Sequence, residues 1–237
     1  YERVTRNPGS FTAFMRGLDL LLKGGVKVRL KTMALRSNRN EFLDIAHFCK
    51  SRTKDYFRFD PFLHLRFDGN PKRNEEIKAE RFSTEEIVQI EQLESTRFKV
   101  FRKSRNKLIL PECSRKNGNL LFRCGAGNGS FYVSHDGFFR LCSPLLHPDC
   151  VFDVRKRNLA TAYHNFVQKV RNMQSERKEY VEKCGICPLI NLCLWCPAYA
   201  HLETGEMDAP VDYFCEVAKA RAKALFKWKK GVNHKLS

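Results

Sequence analysis

The sequence contains no uninterrupted apolar run of about 18 residues, so no transmembrane span is expected. It shows no secretory signal, no internal repeat and no low-complexity tract, and it does not begin with Met. Tyr1 falls inside what reads as a structured segment, so the chain is expected to be a fragment whose N-terminal portion is missing. Acidic residues are scarce beside basic ones: 26 Asp and Glu against 43 Lys and Arg, a net charge of +17. The excess is +10 over residues 1–110 and +7 over 111–237, so it forms neither a tail nor a block. A solvated basic surface is the plain reading. Attraction to a polyanion or an acidic peptide is the sharper one.

What is present is a chain of 237 residues, 43% apolar, enough for one large domain or two ordinary ones with a real core. Ten cysteines are too many to be incidental. Cys49 stands alone, and the other nine lie between Cys113 and Cys215. A chain of this size needs no disulfide scaffold, so clustered cysteines point first to metal.

Phe11, Phe14, Met15, Leu18, Leu21 and Leu22 recur at helical spacing, with Ser10 as N-cap and Gly24-Gly25 as the stop. Residues 26–32 alternate with period two and predict a strand. Asn38 and Glu41 have capping-box spacing before a helix through Phe42, Ile45 and Phe48. Residues 56–59 predict a second strand, and 64–67 extend it or form another. Ser83 and Glu86 form a capping box before a helix carrying Ile87, Ile90 and Leu93. This order suggests βα units and a parallel sheet, the back half of an α/β domain. Residues 101–107 read as a basic connector. Beyond them come the cysteines, with a helix from Asn158 through Val170 and another from about Asp212 to Lys230.

The densest stretch, Cys184 to Cys196, reads C-x2-C-x5-C-x2-C, and Cys215 follows 19 positions later. Upstream, Cys124, Gly137 and Cys142 read C-x12-G-x4-C, with Cys113 before and Cys150 after. Thiolates at x2 spacing grip one centre because a tight turn points both sulfurs inward. Soft sulfur favours zinc or iron–sulfur clusters. A zinc ribbon separates its two knuckles by about 15–20 residues. Here five intervene, and eight thiolates make two sets of four.

In order and spacing, Cys124, Gly137, Cys142, Cys184, Cys187, Cys193, Cys196 and Cys215 resemble the SPASM domain of radical S-adenosylmethionine (radical SAM) enzymes. One spacing departs, x2 between Cys193 and Cys196 where x3 is usual. The run Leu202-Glu203-Thr204-Gly205 also looks like a subgroup of these proteins, and residues 1–100 are similar to the second half of the partial barrel that precedes the module. The resemblance implies an α/β fold: residues 1–108 as the C-terminal part of a partial (β/α)6 barrel, and 109–237 as a SPASM domain with two auxiliary 4Fe–4S clusters and a C-terminal helix. It implies a first cluster on Cys124, Cys142 and Cys196, with Cys113, Cys150 or an open iron in the fourth position. It implies a second on Cys184, Cys187, Cys193 and Cys215.

The triplet C-x3-C-x2-C, which binds the cofactor-cleaving cluster in this family, does not occur here. The parent protein is expected to carry it, with S-adenosylmethionine and a third 4Fe–4S cluster, while the chain alone is inactive. The implied activity is that of an oxidoreductase or maturase that uses a 5′-deoxyadenosyl radical to abstract hydrogen from a peptide or protein. That substrate can be ribosomally made, the electron donor a flavodoxin or ferredoxin, and the compartment the reducing cytoplasm. Two other classes compete: a zinc-stabilised nucleic-acid-binding module, and a stand-alone iron–sulfur electron-transfer protein.

Arg29 and Lys31, with Lys27, share one strand face and are candidates for the cofactor's carboxylate or ribose. A solvent face is the plainer reading. Arg58 and Asp60 either face the barrel lumen or pair with each other. Cys49, beside Phe48, reads as core. His135 and His147 read as turn residues, and Trp195 as a shield for a cluster. Ser143 stands where sulfatase-maturing relatives have Asp beside the cysteine matching Cys142, which argues against that activity. His64, Asp136 and Asp149 are further candidates for a proton acceptor.

Overall fold

A computed structural model describes residues 1–55, 57–111 and 118–227 of the chain. They form two compact units, Tyr1–Phe62 and Leu63–Ser237, of mixed helix and sheet.

In the first unit, α1 (Glu2–Thr5) precedes α2 (Ser10–Lys23). Gly9 takes the capping position at φ 77°, because Ser10 is already helical and its hydroxyl bonds Thr5 at 2.8 Å. Gly24 ends α2, as expected. The strand expected over 26–32 is shorter and later: β1 covers Lys31–Met33. Its length is set by its partner β2 (Arg58–Asp60), with Lys31 opposite Arg58 and Met33 opposite Asp60. The pairing is parallel, as the βα order predicts. Between the strands lies α3 (Phe42–Arg52), entered through a 3-10 turn, Arg36–Glu41. Asn38 caps that turn and not α3 itself. Its side-chain oxygen accepts the Leu35 N–H at 2.9 Å, and its amide donates to the Met33 carbonyl at 3.0 Å. Phe42 packs edge-on against Phe57 and Phe59, with ring centroids 5.9 and 5.0 Å away. Cys49 is buried in this core, as read from the sequence.

The second unit begins without the strand expected at 64–67. The backbone N–H of Arg66 goes instead to the Asn74 side chain, at 2.9 Å. The helix α4 (Pro71–Glu80) has no buried residue, so it gives no apolar period. Its start was still written in the sequence: Asn70 caps the Arg73 N–H at 3.0 Å, and Pro71 opens the first turn. The capping box of α5 (Thr84–Leu93) forms as expected. Ser83 Oγ accepts the Glu86 N–H, and Glu86 accepts the Ser83 N–H at 2.8 Å. The basic connector is helical: α6 (Ser95–Lys103) and α7 (Arg105–Leu108) cover it.

The cysteine-rich part contains an antiparallel sheet of order β3 (Tyr132–Val133), β4 (Phe138–Arg140), β5 (Phe152–Asp153). The expected helix after Asn158 is present as α8 (Leu159–Thr161), a π-helical turn Ala162–Phe166 and α9 (Val167–Arg171). The Asn158 carboxamide caps its first turn at 2.8 Å. A second π-helical turn, Tyr180–Cys184, leads into the dense cysteine stretch. Two helices follow, α10 (Pro197–Thr204) and α11 (Asp212–Lys227), and α11 packs along α5. Among the described residues no helix is long and apolar enough to cross a membrane.

Candidate metal centre

Gly137 shows how the upstream motif folds. It closes the β3–β4 hairpin at φ 83°, and its N–H donates to the Ser134 carbonyl at 3.0 Å. A left-handed backbone favours glycine. A side chain here would also meet Arg155, with Cβ 2.7 Å from its Cγ. The hairpin returns the chain through Phe138–Arg140 to Cys142, which starts a turn closed by the Leu145 N–H on its carbonyl at 3.3 Å. Cys124 lies in an exposed loop held by Arg171, whose Nη1 donates to the carbonyls of Cys124 and Ala126 at 2.9 and 2.6 Å.

Cys196 is the N-cap of α10, with Pro197 in the first turn. Its thiol lies at the helix N-terminus, where the backbone amides of Tyr199 and Ala198 lower its pKa. Burial outweighs those amides and pushes the thiol up to about 11. The charges of Cys142 and Cys124 push the same way. Burial first, and then Cys124, also raises Cys142. These three thiols therefore lie within one another's electrostatic reach.

The other set is built on consecutive turns. Cys184 ends a π-helical turn, and its carbonyl accepts the Cys187 N–H at 3.3 Å. Gly185 passes so close to the Gly118 carbonyl that a side chain would collide with it. The Leu189 carbonyl then accepts the N–H groups of Leu192 and Cys193 at 2.9 and 3.0 Å. Cys215 lies in the first turn of α11. Burial pushes the Cys193 thiol up to about 12, with added repulsion from Cys215, Cys184 and Cys187. Burial and the Cys187 charge raise Cys215.

The nine described cysteines are all free thiols. Among the described residues, no three or more His, Cys, Asp and Glu side chains converge so as to hold a single metal ion. The donor chemistry fits an iron–sulfur group: the candidate thiols are soft sulfurs, and all but the exposed Cys124 are at least partly sheltered from water. Cys113, the first candidate for the fourth position beside Cys124, Cys142 and Cys196, lies outside the described residues. Its rival Cys150 is buried, with its sulfur 3.8 Å from Met173 Sδ and 3.6 Å from Met207 Sδ.

The remaining sequence candidates fall elsewhere. Arg29 pairs with Asp55 at 2.5 Å, and Lys31 pairs with Asp60 across the parallel strands. His135 is exposed in the hairpin turn, where Asp136 accepts from the Ser134 hydroxyl. His147 caps the turn Pro148–Cys150, accepting the Asp149 N–H at 3.3 Å. Ser143 and Asp149 are exposed. His64 stacks on Tyr199 with centroids 3.5 Å apart and meets the edge of Phe214. Trp195 is half-buried against Tyr180 and donates to the Ala209 carbonyl at 2.8 Å.

Sequence reasoning missed two arginines near the thiols. Arg221 of α11 donates to the carbonyl of Leu192, the residue before Cys193, at 2.8 Å. Arg140 stands two residues before Cys142, and its charge partly offsets the rise of that thiol. No family model matches the chain, and no curated protein matches it.

Proposed function

We propose that this chain is the auxiliary-cluster part of a radical S-adenosylmethionine enzyme that modifies a peptide or protein. The reading assigns residues 1–108 to the end of a partial (β/α)6 barrel and 109–237 to a SPASM domain. One observation carries it. The charges of Cys215, Cys184 and Cys187 add to the rise of the Cys193 thiol, whereas those of Cys142 and Cys124 add to the rise of Cys196, which supports one set of Cys184, Cys187, Cys193 and Cys215 and another of Cys124, Cys142 and Cys196. On this reading Cys196 belongs to the second set although only two residues separate it from Cys193. A simple pairing of adjacent C-x2-C knuckles would not give that exchange.

When bound, a 4Fe–4S cluster supplies one-electron chemistry or an iron site for substrate. The chain itself holds the thiols and limits water. Cys196 sits at the N-terminus of α10, Trp195 is fixed by its N–H on the Ala209 carbonyl, and burial shelters Cys184 and Cys193. Cys113 or Cys150 completes the first set, or its fourth position stays open to substrate. In the barrel segment, Arg29 and Lys31 are the candidates for S-adenosylmethionine, after exchanging Asp55 and Asp60 for the ligand. The partners are a peptide or protein substrate and a flavodoxin or ferredoxin as electron donor. The compartment is the cytoplasm, which keeps thiols reduced.

The deciding experiment is anaerobic reconstitution of the chain with iron and sulfide, followed by iron, sulfide and zinc analysis and a visible spectrum. About eight irons per chain, with broad absorption near 400 nm, is the expected result for two four-iron clusters. One or two zincs without colour would overturn it and favour a zinc-stabilised nucleic-acid-binding module.

A further inference from the structure

Arg140 leaves 5% of its surface to water, and its Nε is buried with no hydrogen-bond partner. Among the described residues no carboxylate pairs with it. The contrast lies within the same unit. Arg221, buried to 4%, grips Glu91, and Arg81 grips Glu203. Taking a cation out of water without a counter-charge is strongly unfavourable. Among the described residues its one compensation is the Tyr132 ring, whose centroid is 4.7 Å from the guanidinium carbon. Tyr132 is its register partner on β3, so the two share one face of the sheet. A cation–π contact returns only part of the lost hydration.

The Arg140 charge acts on the Cys142 thiol, partly offsetting the rise that burial causes there. Two residues on lies Cys142, grouped with Cys124 and Cys196. Thiolates around an iron–sulfur group carry net negative charge. We propose that Arg140 is the counter-cation of the group held by Cys124, Cys142 and Cys196, and that it raises the reduction potential of that group. The inference rests on the cluster reading above. One electron passes from a reductant such as dithionite to the group, and no proton moves. The reduced form is one unit more negative, so a fixed cation favours it. Arg140 is a positioning and tuning residue and takes no part in bond making.

The test uses the full chain, reconstituted anaerobically and titrated with dithionite by electron paramagnetic resonance. A Cys193→Ala background removes the other group, so the remaining signal reports the Arg140 side. Arg140→Met should move the midpoint to lower potential or lose the signal, while Arg140→Lys, which keeps the charge, should stay close to the parent. Equal midpoints in all three proteins would overturn the inference. So would equal loss in Met and Lys variants that remain folded by circular dichroism, since shape and not charge would then matter. Absence of iron uptake by the unmodified chain would instead sink the cluster reading itself, before any Arg140 variant is compared.

Discussion

Arg221 on α11 closes on Glu91 of α5 where both side chains are almost wholly excluded from water, 4% and 1% exposed. Its Nε lies 3.0 Å from one carboxylate oxygen, its Nη2 meets the other, and its Nη1 holds the Leu192 carbonyl. Arg97 adds a second guanidinium 3.3 Å from Glu91. Four segments, three helices and the loop before Cys193, thus meet around one ion pair.

Glu91→Ala should therefore be among the most damaging single changes in the second unit. It leaves a buried guanidinium without its partner, which costs about 3–5 kcal/mol. Urea unfolding should register this as a lower midpoint. The double change Glu91→Leu with Arg221→Met should recover most of the loss, because it removes both charges together.

Single cysteine changes should partition the iron. Cys184→Ser, Cys193→Ser or Cys215→Ser should each lower the reconstituted iron from about eight to about four per chain. Cys124→Ser, Cys142→Ser or Cys196→Ser should lower it by the same amount. The spectrum that survives should be shared within each group and differ between them. A pairing of Cys193 with Cys196 in one set would give a different partition.

Gly137→Ala should weaken the hairpin. The left-handed backbone costs an L-residue about 1–2 kcal/mol, and the added methyl meets the Arg155 stem. We expect a lower melting temperature, together with selective loss of the iron that depends on Cys142. Gly137→Asn should be the milder change, since Asn tolerates this conformation.

Cys150→Ala separates packing from ligation. Its sulfur fills a pocket between two methionine sulfurs in the buried cluster around Phe139 and Leu145. As packing, its loss costs about 1–2 kcal/mol of stability and leaves iron content unchanged. A drop in iron without a matching drop in stability would make Cys150 the fourth ligand.

Local signals were the legible part of the fold. Ser83 and Glu86 formed their reciprocal cap and Asn158 capped its helix, because each rests on contacts within a few residues, and the βα order foretold the parallel pair β1–β2. Strand length was not legible. Residues 26–30 alternate like a strand, yet β1 pairs only through Lys31–Met33, since its extent belongs to a partner 27 positions away at Arg58–Asp60. α4 was hidden because it buries nothing and so carries no apolar period. At the candidate centre the thiols announced themselves by spacing, whereas Arg140 and Arg221 did not. What distinguishes them from the other basic residues is burial and the company of Tyr132, Glu91 and Leu192, which only the folded chain defines.

The exchange at residues 193 and 196 has a consequence for assembly. On the proposed assignment the two thiols serve different groups, yet three peptide steps of extended chain span at most about 11 Å. Ordering either residue therefore restricts the other. Filling one group removes conformational freedom that the second would otherwise have to surrender on its own. Titration with limiting iron should then yield a mixture of empty and doubly filled chains, with few half-filled ones between.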